Sequence, residues 1–192
     1  MKTIRVGFAL CGSFCTFDKA IAQMKELIQR GYDVLPIMSY HAYSTDTRFG
    51  KAEAIREKIE MLCGKPIIAT LQDAEPLGPK KMTDILVVAP CTGNTAAKLA
   101  SAVTDTPVTM AVKSHLRQSL PVLLCIATND ALGASAQNIG RLLNTRHVYF
   151  VPFTQDDPIR KPKSLVADFS LLIPAMEAAL QEQQLQPVLC TH

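Results

Sequence analysis

Four clusters of small and polar residues stand directly after apolar, β-branched runs, and they hold most of the chain's candidates for ligand chemistry. The first is Cys11-Gly12-Ser13-Phe14. Gly12 lets the chain turn, bringing backbone N–H groups and the Ser13 hydroxyl to the start of a helix, where unpaired donors and the helix dipole favour an anion. The same residues also suit a plain turn with Ser13 or Thr16 as helix cap. Neither a Gly-x-Gly-x-x-Gly fingerprint nor a Walker lysine decides between the two.

The second cluster runs from Ser39 through Tyr40, His41, Tyr43, Ser44 and Thr45. A serine at a strand end can meet a phosphate or a ribityl chain, yet it is equally an ordinary loop residue. A lone histidine such as His41 is more often a turn residue than a base. The third cluster, Pro90-Cys91-Thr92-Gly93-Asn94-Thr95, places hydroxyls and an amide at a helix start, with Gly93 permitting close backbone approach. It reads as a site for a phosphate or a polar ring edge, or as an elaborate N-cap; two neighbouring turns of the same character favour the former. Cys91 at a helix N-terminus has the position of a thiolate nucleophile, but that role needs a partner base, and a packing or cofactor-lining role is preferred. The fourth cluster is Ala127-Thr128-Asn129-Asp130, followed by a helix carrying Asn138. Asp130 suits a cap and Asn138 a surface amide; a site at this end of the sheet would be lined by Thr128 and Asn129.

The elements that must position these clusters follow from the pattern. Apolar runs at residues 4–10, 33–39, 84–90, 121–128 and 147–151 alternate with helical patterns at about 17–30, 50–63, 94–102 and 132–144, and a long C-terminal helix is predicted over about 164–183. A short run at 66–70 is also strand-like. This alternation predicts an α/β chain: a three-layer α-β-α, Rossmann-like (flavodoxin-like) fold with a mostly parallel sheet and helices on both faces. Ligands in such sheets bind outside the carboxyl ends of the strands. Gly31 predicts a left-handed helix stop, and Pro36 predicts an edge strand or a bulge. The expectation is one domain over residues 1–192, with an irregular arm at about 152–164.

Composition narrows the class. Hydrophobic residues make up 48% and charged residues 19%, and the net charge is +3. That charge is too small and too dispersed for a nucleic-acid surface. No apolar stretch is long enough to span a membrane, and no signal-peptide pattern follows the first apolar run. The six cysteines form no C-x-x-C pair and read as reduced, cytosolic thiols, with neither a disulfide framework nor a metal site.

At its four clusters the sequence resembles the flavoprotein superfamily of FMN-binding cysteine decarboxylases and flavin prenyltransferases, over roughly residues 4–151. The superfamily's Gly-Ser turn is matched by Gly12-Ser13, its second-strand serine by Ser39, and its Pro-Ala-Ser-Ala-Asn-Thr segment by Pro90 to Thr95. Its late Pro/Thr and Asn positions look like Thr128, Asn129 and Asn138. The resemblance implies FMN as cofactor, with Gly12, Ser13, Phe14, Ser39, Pro90, Cys91, Thr92, Asn94, Thr95, Thr128 and Asn129 as flavin-site residues. It also implies a homo-oligomer, a trimer or dodecamer. No histidine stands between Ala42 and Ser114, and Ile126-Ala127-Thr128-Asn129 replaces the decarboxylases' Pro-Ala-Met-Asn motif, so cysteine decarboxylation is not expected.

VGFALCGSFCTF, DAEPLGP and VPFTQDDPIRKPKSLVAD extend the resemblance over nearly the whole chain to a member that works with a second subunit of nucleotide-binding fold. That implies an oxidoreductase subunit which helps aromatise a small molecule, a dihydrodipicolinate-type precursor, with NADP on the partner, in the cytoplasm of a sporulating mother cell. Lys98, Lys113, His115 and Arg117 are then candidates for the substrate carboxylates, arginine being suited to bidentate contact. Two other readings stay open. One is a non-catalytic structural or allosteric partner that docks through TQDDPIRKPKS. The other is a flavin prenyltransferase-like enzyme, ranked last because no run of basic residues surrounds the turns.

Overall fold

A computed structural model describes residues 3–190; the expected domain of 1–192 includes two residues at each end that lie outside this range. The chain runs β1 (Arg5–Leu10), α1 (Phe17–Gln29), β2 (Asp33–Met38), α2 (Tyr40–Ser44), α3 (Ala52–Cys63), α4 (Leu71–Ala74), β3 (Ile85–Cys91), α5 (Gly93–Ala100) and α6 (Pro107–Leu116). It continues through β4 (Val122–Thr128), α7 (Ala136–Leu143), β5 (Val148–Phe150), β6 (Phe153–Thr154), β7 (Leu165–Ala167) and α8 (Leu172–Leu180).

The sheet is mostly parallel, in the order β2-β1-β3-β4. At the far side β4 divides its pairing: Val122 to Leu124 pair with parallel β5, whereas Ala127 and Thr128 pair with antiparallel β7, which in turn pairs with β6. β1 and β3 are adjacent although not consecutive, so the chain reverses its direction of travel across the sheet between them. That reversal separates the loops after β1 and β3 and opens a crevice at their carboxyl ends.

β3 is buried at every residue and β4 at all but Thr128, as expected of central strands covered on both faces. α1 buries Phe17, Ala20, Ile21, Met24 and Leu27, an i, i+3, i+4, i+7 stripe facing the sheet. α1 and α8 pack against each other on one side, and α5 packs against α6 and α7 on the other. The buried residues form one continuous hydrophobic cluster.

Two local expectations are met for identifiable reasons. α1 ends with the Gly31 N–H donating to the Ile28 carbonyl and the Tyr32 N–H to the Leu27 carbonyl, with Gly31 at φ +87°; this paired closure needs a left-handed residue after the helix. β2 is the outer strand of the parallel set, and the Pro36 carbonyl accepts from the Ile68 N–H on the side away from β1. The missing Pro36 N–H therefore costs the β1 ladder nothing. Ile68, in the short 66–70 run, adds only a single bridge to Ile37.

Several expectations are corrected. The long C-terminal helix does not begin near residue 164. Leu165, Val166 and Ala167 alternate buried, half-buried and buried as β7, and the Asp168 carboxylate then accepts from the Ser170 N–H to start the helical turns that lead into α8. The helix expected over about 132–144 starts only at Ala136, because Asp130 and Ser135 hold the preceding residues in turns. α6 is a whole helix beyond those expected from the sequence. Thr106 and Thr109 form its reciprocal cap, and Pro107 occupies its first turn, a start signal present in TDTPVT. The arm after β5 is not wholly irregular either, since Phe153 and Thr154 form β6.

Candidate functional site

The loops after β1, β2 and β3 converge on a cavity of 490 Å3 at the carboxyl end of the sheet, where β1 and β3 meet. Of the residues singled out from sequence, Gly12, Phe14, Ser39, Thr92, Asn94 and Thr95 line it. The volume lies in the range of small-molecule and cofactor sites.

Each wall has a local cause. The Ser39 Oγ accepts from the Ala42 N–H and starts α2, which carries Tyr40 and His41 to the cavity edge. Thr92 caps α5: its Oγ1 accepts from the Thr95 N–H at 3.2 Å and donates to the Thr95 Oγ1 at 3.1 Å. With the Thr95 N–H used in the cap and the Ala96 N–H bonded to the Thr92 carbonyl, the Gly93 and Asn94 N–H groups are the donors of this helix start left without a partner among the described residues. Asn94 is exposed toward the cavity. Gly93 itself is required by packing, because a Cβ there would lie 2.6 Å from Thr128 Oγ1, 2.7 Å from Ser135 Oγ and 2.9 Å from Asp130 Oδ1. The Phe14 ring, 5.1 Å from Phe17, forms an apolar wall beside these donors.

The charge at this cavity is nearly balanced. Lys98 Nζ donates to both carboxylate oxygens of Asp105, at 2.8 and 2.7 Å, and that bond holds the Asp105 carboxyl below its usual range. Lys98 is therefore a paired cation beside neutral donors. Asp105 and Thr106 complete the rim; the sequence pattern does not single them out, because it is the start of α6 that brings them here.

Tyr40, His41, Thr45 and Lys98 share this cavity, and other residues singled out from sequence lie elsewhere. Ser13, Thr128 and Asn129 line a separate 250 Å3 cavity together with Asp156 and Lys161 of the arm. Thr128 donates to Asp130, which also accepts from the Ser135 Oγ at 2.9 Å, and these bonds hold the Asp130 carboxyl below its usual range. Asn129 Oδ1 accepts from Ser164 at 3.4 Å. Asn138 is half-buried on α7 and lines neither cavity. Pro90 and Cys91 are buried within β3, behind the lining. Burial first, and then the neighbouring Cys11 and Cys125, push the Cys91 thiol well above its ordinary value, so it is held as a neutral packing group and not as a nucleophile.

The four candidate carboxylate partners are likewise separated. Lys98 is at the 490 Å3 cavity, whereas Lys113 and Arg117 line a distinct, mostly apolar one of 420 Å3. His115 is fully buried, 2.6 Å from the Thr83 hydroxyl just before β3, at the opposite end of the sheet. Burial pushes it down to about 4, and a neutral, enclosed ring cannot serve a substrate carboxylate.

Comparison with known proteins agrees with this architecture. The B subunit of dipicolinate synthase from Bacillus subtilis (strain 168) is 48% identical over 189 residues, covering 98% of this chain and 94% of that protein. The crystal structure of the corresponding B subunit from Bacillus halodurans C is 44% identical, with a TM-score of 0.90 over 100% of this chain and 99% of that one. Burkholderia xenovorans DmrB, solved in complex with FMN, shares the fold at 18% identity, with a TM-score of 0.70 over 93% of this chain and 96% of its own. The family model described as Flavoprotein matches residues 1–178, and the chain belongs to that family.

Proposed function

We propose that this chain is the B subunit of a dipicolinate synthase. It would act with the A subunit of that enzyme to oxidise a dihydrodipicolinate-type precursor to dipicolinate in the cytoplasm of a sporulating mother cell. The observation that carries the reading is the 490 Å3 cavity at the β1/β3 reversal, walled by three polar turns and one aromatic ring; the likeness to the B subunits over nearly the whole chain supports it. The relatives' name implies a second subunit, on which we place a nucleotide cofactor such as NADP. A homo-oligomer, trimer or dodecamer, belongs to the same reading, as does one domain over the whole chain.

The residues present fit FMN. Neutral hydroxyls, the N–H groups at the start of α5 and the side-chain-free lining at Gly12 suit a phosphate and a ribityl chain, and Phe14 suits an apolar ring face. Thr92, Asn94, Thr95, Ser39 and Gly12 would hold the group. When bound, FMN supplies a hydride acceptor. The chain's own part is to fix the ring, exclude water with Phe14 and Tyr40, and keep Lys98 in place through Asp105. Ser13, Thr128 and Asn129 belong to the neighbouring cavity, where the arm closes over the end of β4; we assign them to the substrate side of the site.

Titrating purified protein with FMN tests the cofactor reading. Saturable binding near one per chain, weakened about tenfold or more in Thr92→Val/Asn94→Ala, is expected. No change in flavin absorbance or fluorescence at any protein concentration would refute it. Assaying the two subunits separately and then mixed tests the catalytic share: full activity from the isolated A subunit would remove this chain from the redox step.

A further inference from the structure

The two helices on the α1 side leave a trough that the cavity chemistry does not use. From α1, Asp18, Ile21, Ala22 and Lys25 face it at i, i+3, i+4, i+7 spacing; from α3, Ala54, Lys58, Met61 and Leu62 face it in the same way. Cavities of 670 and 200 Å3 share Asp18, Ile21 and Lys58 and so form one trough. Its apolar lining is incompletely covered: Met61 is 85% exposed and Phe49, at its far end, 50%. Its borders are cationic. Lys25, Lys51 and Lys58 line it against one acid, Asp18, and Arg48 lies 4.9 Å over the Phe49 ring. Among the described residues, none of these three lysines has an ion pair or a side-chain hydrogen bond.

An apolar trough between two helices, edged by unpaired lysines, is complementary to one kind of occupant: a helix with an apolar stripe flanked by aspartate and glutamate. We propose that this α1/α3 trough is the docking surface for an acidic amphipathic helix of the second subunit. The inference rests on the two-subunit reading above. Position supports it as well, because Phe14 lines both the end of the trough and the 490 Å3 cavity. A partner seated in the trough abuts the proposed flavin wall.

The test measures the affinity of the immobilised A subunit from the same genome for three forms of this chain at low and high salt: wild type, Lys25→Glu/Lys58→Glu, and a charge-matched control, Lys80→Glu/Arg141→Glu, on exposed positions outside the trough. Met61→Glu, at a site too exposed to affect folding, serves as a second trough variant. The expected result is a loss of about tenfold or more in both trough variants, steepest at low salt, with the control within about twofold of wild type. Unchanged binding in the trough variants overturns the docking surface and leaves the two-subunit reading intact. An equal loss in the control overturns it too, by showing a net-charge effect. Failure of the wild-type chain to bind the A subunit removes the two-subunit reading and the proposal with it. If light scattering shows that the trough variants break up an oligomer of this chain alone, the occupant is a second copy and the proposal is wrong.

Discussion

At the scale of single residues, the groups that looked reactive are distinguished by burial, which a sequence does not print. Cys91 has a helix start beside it and would be an activated thiol if it faced solvent; instead it is enclosed by β3 with Cys11 and Cys125 near it. Under native conditions a thiol reagent is expected to label the exposed Cys15 within minutes and to leave Cys11, Cys91 and Cys125 unmodified until urea is added. Rapid native labelling of Cys91 would contradict its placement. His115 shows the same effect with a pH consequence. Its folded value of about 4 lies below the ordinary 6.5, so between these values the unfolded chain binds the extra proton and stability rises with pH. Acidification through that window costs at most about 3 kcal/mol. Urea unfolding of the wild type should show a stability loss as the pH falls from about 6.5 toward about 4 that is largely absent from His115→Gln, which can still bond Thr83 but does not titrate. An equal loss in both proteins would assign the effect to other groups.

At the scale of elements, close approach explains why particular turns have the residues they have. Gly93 begins α5 where Thr128, Ser135 and Asp130 leave no space for a side chain. Gly93→Ala should cost about 1–3 kcal/mol, the usual range for overpacking, despite alanine's better helix propensity, and it should weaken FMN binding by displacing Asn94. Thermal unfolding together with flavin titration checks both, and an Ala variant as stable as wild type would show that the β4 turn can retreat. α6 depends on Thr106 in another way. Thr106→Ala removes a reciprocal cap and is expected to cost about 1 kcal/mol, with a further loosening of the 490 Å3 cavity because Thr106 and Asp105 form its rim. The start signal of α6 is legible in Thr106 and Pro107, but the buried face of the helix is crowded with small and polar residues, Thr109, Ser114 and His115 among them, so no clear amphipathic stripe announces it. β7 escapes sequence reading for the opposite reason. Three residues are too few to show a period, and what makes them a strand is pairing with Thr128 and Ala127 far away in the chain.

At the scale of the whole molecule, the alternation of apolar runs and helical patterns is sufficient to place three of the four polar clusters together, because the parallel sheet sends every strand's carboxyl end to the same side. It does not show that the fourth cluster is diverted. That depends on β7 folding back against the end of β4 and drawing Ser164 to Asn129, which leaves Thr128 and Asn129 in the neighbouring cavity they share with Ser13. The resulting architecture makes a testable statement about energy. A ligand that binds only the folded chain at about 100 times its dissociation constant adds about 2.7 kcal/mol, equivalent to about 5–10 °C in melting temperature for a chain of this length. On the proposed FMN reading, FMN should raise the melting temperature by about that much, and Thr92→Val/Asn94→Ala should abolish the rise. Hydrogen exchange should slow on the turns after β1, β2 and β3 and stay unchanged at the other end of the sheet, where Arg5 and Asp84 pair at 3.0 Å. Protection centred on the Lys113 and Arg117 cavity instead would overturn the proposed placement of FMN, and the convergence of three turns would then need another ligand to explain it.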